Sequence, residues 1–158
     1  MMRIYGFSPV EKEDAVLLIV GSMPSVMSLQ DDFYYAHKRN AFWPIMAEVL
    51  SSPLPQTKDE KIRLLTNKRI ALWDVYASCI RVGSLDSAIK EGEKNDFDSF
   101  FKNHVHIRAV LCNGSSAYNA FPKHIPVPII RMPSTSPAFT MKYEKKLAIW
   151  QETINQYL

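Results

Sequence analysis

The sequence predicts an α/β protein: a single three-layer α/β/α domain over residues 1–158, built on a short, mainly parallel four-stranded sheet. Four short apolar runs alternate with segments of helical character, and this alternation favours a parallel sheet that is covered on both faces. The length of 158 residues, with 47% hydrophobic and 22% charged residues, is ordinary for one globular domain with a sizeable core.

Nine elements are predicted along the chain. They are, in order, strand 15–20, helix 40–51, helix 58–67, strand 69–76, helix 96–104, strand 107–112, helix 115–121, strand 126–132 and helix 140–158. The first strand is a continuous apolar run that ends at Gly21. Pro44 is tolerated in the first turn of the first helix, Thr57 and Glu60 have capping-box spacing, and Asp96 gives the next helix an acidic start.

The second half of the chain supplies the remaining elements. Asn113 and Gly114 stop the third strand, and the prolines of the fourth strand indicate an edge position or the start of a strand. The final helix carries the clearest pattern, an apolar stripe with a repeat of three or four residues, formed by Tyr143, Leu147, Trp150, Ile154 and Leu158. Thr140 is a candidate cap for this helix.

Polar and hydroxylated residues follow the ends of the four predicted strands. Ligands of open α/β folds lie beyond the carboxyl ends of the strands, so we expect these segments to converge on one rim. The segments begin at Gly21, Asp74, Asn113 and Met132.

Composition narrows the function classes. No apolar run approaches the roughly 20 residues of a membrane span, and the amino-terminal segment lacks the apolar core of a signal peptide, so we expect a cytoplasmic protein without a membrane partner. Cys79 and Cys112 are too few for a four-thiolate site, and the four histidines are scattered, so we expect no metal and no cofactor. The net charge of +3 permits a nucleic-acid partner without requiring one.

Two loops could hold an anion. The turn Gly21–Ser25 exposes backbone N–H groups that can bind an anion or a carbonyl oxygen, although tight turns after strands are common and the Gly-Lys-Ser/Thr ending of a Walker loop is absent. In the loop Met132–Pro137, prolines stiffen the backbone around three hydroxyl groups that can donate to phosphate oxygens. The alternative for this second loop is a rigid entry to the last helix.

The segment Tyr34–Trp43 combines aromatic rings, cations and one amide. Aromatic rings can sandwich a nucleobase, and an amide such as Asn40 can orient a water or bind a base edge. Phe42 and Trp43 are expected in the core, whereas Tyr34 and Tyr35 lie in a polar loop and are candidates for binding.

The motifs Gly21-SMPS, YYAHKRNAFW, LWDVYASCIRVGSLDSAI and MPSTSPAF together resemble the uracil-DNA glycosylase superfamily. They are most similar to its hypoxanthine-DNA glycosylase branch, and they cover most of the chain in the same order. The resemblance implies a monofunctional, monomeric enzyme that flips a deaminated base out of double-stranded DNA and hydrolyses its N-glycosidic bond without a cofactor. Hypoxanthine is the first candidate base and uracil the second.

The resemblance also assigns roles to individual residues. It implies that Asn40 is catalytic and that Tyr35 stacks on the flipped base. Asp74 stands where uracil enzymes carry their base-reading amide, and backbone donors near Gly21 and Ser22 would complete the base pocket. The DNA backbone would be held by the cations and by the last motif, namely Lys38, Arg39, Pro133, Ser134, Thr135 and Ser136.

The sequence departs from the uracil enzymes at several positions. Met23 replaces the aspartate that handles water, and Met132 replaces the histidine that stabilises the departing uracil oxygen. Ser136 stands at the position of the bulky wedge, and Phe139 and Met141 are the two candidates to replace that wedge. Asn40 must therefore contribute more to the reaction.

An ionised Asp74 would only accept hydrogen bonds and would oppose negative charge on the departing base. Either burial raises its pKa so that it donates, or it braces a loop away from the base. Two other functions remain open: a non-catalytic, flavodoxin-like nucleotide-binding module, and a serine hydrolase using Ser115 or Ser134, although the Gly-x-Ser-x-Gly elbow is absent.

Overall fold

The computed structural model describes residues 2–158. Its strands are β1 Arg3–Tyr5, β2 Leu17–Gly21, β3 Ile70–Asp74, β4 Tyr76–Ile80, β5 Lys90–Lys94, β6 Ala109–Asn113 and β7 Ile129–Met132. Its helices are α1 Val26–Asp31, α2 Phe42–Val49, α3 Lys58–Thr66, α4 Phe97–Asn103, α5 Ser115–Ala120 and α6 Tyr143–Tyr157.

Four strands form an entirely parallel sheet in the order β3-β2-β6-β7. This confirms the predicted fold class, and β7 occupies an edge as its prolines indicated. Side chains alternate between the two faces of β2. Leu17 and Ile19 belong to a core that includes residues of α2, α3 and α6, whereas Leu18 and Val20 belong to a second core with residues of α4 and α5.

A second sheet of three antiparallel strands, in the order β1-β4-β5, was not predicted. The predicted strand 69–76 runs past the end of β3 and into β4, because only Val75 separates them. β5, with the sequence KEGEK, is exposed throughout and has no apolar alternation, so its pairing with β4 is a tertiary effect.

Of the two predicted helix caps, one is confirmed and one is wrong. Thr57 caps α3 as expected, since its side chain accepts a hydrogen bond from the Glu60 N–H. Thr140 is not the cap of α6: that position belongs to Lys142, which makes no capping side-chain bond. None of the helices within residues 2–158 has both the length and the apolar character that crossing a bilayer requires.

Candidate functional site

The segments that follow the four parallel strands meet at one edge of the sheet, as predicted. Gly21 is the register partner of Asp74, and Asn113 is the partner of Met132. Thr135 then joins the last two segments, because its N–H donates to Asn113 Oδ1 and its Oγ1 accepts from Asn113 Nδ2, both at 2.9 Å. The Thr135 carbonyl also accepts the Ala41 N–H at 2.9 Å, which brings in the loop before α2.

Gly21 lies directly against two functional candidates. A Cβ atom at this position would be 2.6 Å from Asp74 Oδ1 and 2.7 Å from the Tyr35 hydroxyl oxygen. Real Cβ contacts do not come this close, so any side chain here would displace both groups. The sheet register therefore gathers Gly21, Asp74 and Tyr35 at one point.

Asp74 is a buried carboxyl group, with 4% of the residue exposed. Burial, followed by the charge of Asp86, raises the pKa of Asp74 to about 7, against the opposing effects of Arg81 and the Gly21 N–H. Asp74 Oδ2 has no hydrogen-bond partner. The neighbouring loop is braced instead by the Asp74 carbonyl, which accepts from Asn95 Nδ2 at 2.7 Å.

Tyr35 adopts a left-handed backbone conformation, with φ of 53°, which is uncommon for a residue with a large side chain. Its ring stacks on Phe42, with centroids 4.1 Å apart and planes 22° apart. The Tyr35 hydroxyl has no partner of hydrogen-bonding geometry. Burial raises the pKa of Tyr35, and the nearby Asn113 side chain lowers this pKa by a smaller amount.

Tyr34, the other loop tyrosine, is part of the core rather than the site. It is 2% exposed, and its hydroxyl donates to the Ser8 carbonyl at 2.8 Å. Trp43 Nε1 donates to the Tyr34 carbonyl at 2.9 Å. Phe42 and Trp43 are buried as predicted.

Unsatisfied polar atoms concentrate in this region. Within residues 2–158, five buried side-chain nitrogen or oxygen atoms lack a partner, and four of them belong to Tyr35, Asp74 and Arg81. Each such atom costs roughly 1–3 kcal/mol, and buried polar groups are normally paired. Four of the five therefore belong to residues around Asp74, which marks this region as the candidate site.

Asn40 is held by the start of α2. Its Oδ1 accepts the Phe42 N–H at 3.0 Å, and its own N–H donates to the His37 carbonyl at 2.9 Å. These bonds orient the amide and leave the second Oδ1 lone pair and the Nδ2 group for a water or a substrate.

Ser22 uses its hydroxyl for a purpose that the sequence did not suggest. The side chain is buried, and Oγ donates to Asp86 Oδ1 at 2.5 Å. The Ser22 carbonyl also has a partner, since it accepts the Tyr76 N–H at 3.0 Å. The role of backbone donors at this turn stays a prediction.

The loop that follows β7 is held by several hydrogen bonds and is partly exposed. Ser134 Oγ accepts the Ser136 N–H, and Ser136 Oγ accepts the Ala138 N–H, so both O–H groups remain able to donate. The Pro133 carbonyl accepts from Trp150 Nε1 at 3.0 Å, and the Ser136 carbonyl accepts from Lys146 Nζ at 3.0 Å.

Thr135 differs from its neighbours in this loop. It is 1% exposed, and Asn113 occupies its side chain and its N–H. The expectation of a phosphate contact is corrected here, because Thr135 serves to connect two rim segments.

The predicted cations Lys38 and Arg39 are exposed at the tip of the loop before α2. Of the two candidates for a wedge, Phe139 is 43% exposed and Met141 is only partly exposed. Lys146 Nζ lies 5.4 Å from the centroid of the Phe139 ring, which supports that ring from one side.

Arg81, Asp86 and Asn113 are site residues that the sequence analysis did not assign. Arg81 and Asp86 lie in the same quoted motif as Asp74, so a whole-motif assignment would have included them. Their role depends on β4, which the prediction merged with β3. Asn113 was interpreted only as a strand-ending residue.

Two features lie outside this site. No group of three or more His, Cys, Asp or Glu residues suited to a metal occurs in the described part of the chain. A cavity of about 440 Å³ opens at the opposite edge of the sheet, beside Val16, Arg69 and Arg108, which precede β2, β3 and β6.

Comparison with known proteins gives consistent matches. The family model of the uracil DNA glycosylase superfamily matches residues 8–158. The chain is 32% identical over 117 residues to hypoxanthine DNA glycosylase of Methanosarcina barkeri (strain Fusaro / DSM 804), covering 73% of this chain and 74% of that relative. It is 34% identical over 113 residues to hypoxanthine DNA glycosylase of Methanosarcina acetivorans, covering 71% and 72%.

A solved structure matches over almost the whole length. The solution NMR structure of a candidate uracil DNA glycosylase from Methanosarcina acetivorans superposes with a TM-score of 0.87 at 28% identity, and 99% of each chain is covered.

Proposed function

We propose, from the premise that the chain belongs to the uracil DNA glycosylase superfamily, that this DNA N-glycosylase removes hypoxanthine from DNA. The names of the two curated relatives, both hypoxanthine DNA glycosylases, carry the choice of base. The pKa of Asp74, raised to about 7 beside Gly21, supports a base that presents a carbonyl acceptor beside an N–H donor, a pattern that hypoxanthine and uracil share and adenine lacks.

Hypoxanthine presents O6 as an acceptor beside N1–H as a donor. A protonated Asp74 offers the matching pair, since one carboxyl oxygen carries the proton and donates and the other oxygen accepts. A neutral acid also avoids repulsion of the negative charge that grows on the departing base. Tyr35 would stack on the base, held in place by Phe42 on its other face.

Bond breaking requires a water near C1′ of the sugar. Asn40 would hold this water through Oδ1, whose direction is set by the Phe42 N–H. The water oxygen bonds to C1′ as the C1′–N bond breaks, the bonding electron pair leaves with the base, and one water proton passes to solvent. A neutral amide suffices for positioning when the sugar already carries most of its positive charge.

The DNA backbone would be held around this pocket by exposed groups. Lys38 and Arg39 supply charge, and the free O–H groups of Ser134 and Ser136 supply donors. Pro133 keeps that loop stiff.

The alternative of a non-catalytic nucleotide-binding module is not favoured, because the relatives are glycosylases. It would bind a mononucleotide at the Gly21 turn without releasing a base.

The test is a set of matched duplexes that contain hypoxanthine, uracil, xanthine, a methylated base or adenine at one position. Alkali cleavage after incubation in EDTA would reveal each abasic site. We expect cleavage of the hypoxanthine duplex first and unchanged rates with and without EDTA. Faster uracil release would overturn the base assignment. Strand cleavage with no added alkali would overturn the monofunctional mechanism.

A further inference from the structure

A segment of the second sheet is tied to the Gly21 turn by side-chain bonds. Ser22 Oγ donates to Asp86 Oδ1 at 2.5 Å, and Arg81 Nη2 donates to the Pro24 carbonyl at 2.5 Å. The Val26 N–H donates to Ser84 Oγ at 2.8 Å. Three hydrogen bonds therefore join residues 81–86, which follow β4, to the turn that follows β2 of the parallel sheet.

Asp86 also acts on the site by its charge. The residue is exposed at the rim, and its carboxylate raises the pKa of both Asp74 and Tyr35. The other charged or titratable groups around Asp74 are Arg81, whose positive charge lowers the pKa of Asp74, and the phenols of Tyr34 and Tyr35. Asp86 thus opposes Arg81 in setting the charge state of the buried acid.

We propose that Asp86 is a positioning residue for base recognition, which holds the Gly21–Ser22 turn, against which Asp74 and Tyr35 lie, through its bond with Ser22. Its charge adds to burial, the larger effect, in favouring the hydrogen-bond-donating form of the Asp74 carboxyl. This inference rests on the proposed function, since it concerns how Asp74 meets the base. Asp86 acts through Ser22 and Asp74 and makes no contact with the base itself.

The geometry explains why a second carboxylate is useful here. Two carboxyl groups in unlike surroundings divide the roles of a neutral donor and a fixed charge. Burial raises the pKa of Asp74 most, whereas the positive charge of Arg81 lowers this pKa and so favours the ionised, accept-only form. The negative charge of Asp86 at the solvent edge counteracts this effect without entering the pocket.

Three variants separate the bond from the charge. Asp86→Asn keeps an oxygen that can accept from Ser22 Oγ but removes the charge. Ser22→Ala removes the bond but keeps the charge, and Asp86→Ala removes both. Glu152→Gln, an exposed acid on α6 that is not among the charges acting on Asp74, is the matched control.

The measurement is the single-turnover rate of hypoxanthine release as a function of pH, together with the titration of the Asp74 carboxyl carbon by NMR in the free proteins. In Asp86→Asn the midpoint at which the rate falls with rising pH should move toward acid by roughly 0.5–1 pH unit. The Asp74 titration should move by the same amount. Ser22→Ala should lower the rate at every pH without moving the midpoint, Asp86→Ala should show both effects, and the control should match wild type.

Identical midpoints and identical Asp74 titrations in wild type and Asp86→Asn would overturn this inference while leaving the glycosylase function intact. If the wild-type protein releases no base from any duplex, the proposed function itself fails. The NMR titration then still decides whether Asp86 sets the charge of Asp74.

Discussion

The ring of Tyr35 lies almost parallel to that of Phe42, 4.1 Å away between centroids. One face of Tyr35 is therefore covered by the core, so the proposed stacking on a base would use the opposite face. The left-handed backbone of Tyr35 places the ring in this position.

Tyr35→Ala should weaken binding to hypoxanthine DNA by roughly 1–3 kcal/mol, because stacking on one base is worth about that much. Tyr35→Phe keeps the ring on Phe42 and should bind nearly as tightly as wild type. Fluorescence anisotropy with lesion and undamaged duplexes measures both. If each protein, wild type included, binds the two duplexes equally well, Tyr35 has no place in the base pocket.

Gly21→Ala should reduce the rate of base release on the order of 10²-fold, since displacing Asp74 and Tyr35 by about 1 Å misaligns the site. Gly92→Ala provides a steric control: its Cβ would also meet a side chain, the Tyr76 ring at 2.5 Å, within the second sheet. Its single-turnover rate should stay close to wild type. Equal rates for Gly21→Ala and wild type would contradict the close approach described at this turn.

Asn40→Ala should lower the single-turnover rate by about 10²–10³, with DNA affinity changed only a few-fold. The same change removes the acceptor for the Phe42 N–H, so urea unfolding should show a loss of about 1 kcal/mol. Asn40→Asp retains an acceptor and should keep the wild-type stability. A normal rate in Asn40→Ala would assign the positioning of water to another group.

Hypoxanthine release should fall as pH rises through about 7, the raised pKa of Asp74, because the protonated form is the one that donates. Asp74→Asn cannot ionise, so its profile should lack this fall. Since the amide offers the same donor and acceptor pair as the protonated acid, Asp74→Asn should release hypoxanthine faster than the wild type above about pH 8, where Asp74 is ionised. Rates reduced equally at every pH, with the fall through pH 7 retained, would make Asp74 a scaffold residue.

DNA affinity should decrease with salt, with a slope that corresponds to a few released counterions. Lys38→Gln and Arg39→Gln should each reduce this slope by about one. Lys68→Gln, an exposed lysine beside the cavity at the opposite edge of the sheet, should leave it unchanged. A salt-independent complex would exclude phosphate contacts by these residues.

The parallel sheet and its covering helices followed from the sequence because their signals are local. The apolar run of β2, the cap at Thr57 and the stripe centred on Trp150 each depend on a few neighbouring residues. The order of the motifs also indicated the superfamily. Four strand ends with polar residues predicted one rim, since parallel strands bring their carboxyl ends to the same edge.

Only the tertiary structure decided which rim residues face the site and which are scaffold. Tyr34 and Tyr35 are adjacent and chemically identical, yet one is anchored in the core and the other lies against Gly21. Asp86 lies between β4 and β5 of the antiparallel sheet and contacts the turn through Ser22. β5 has no apolar alternation, so its place in the fold is not evident from its own residues. Burial and the charge of a residue distant in sequence determine the protonation of Asp74, and both are properties of the folded chain rather than of any segment of it.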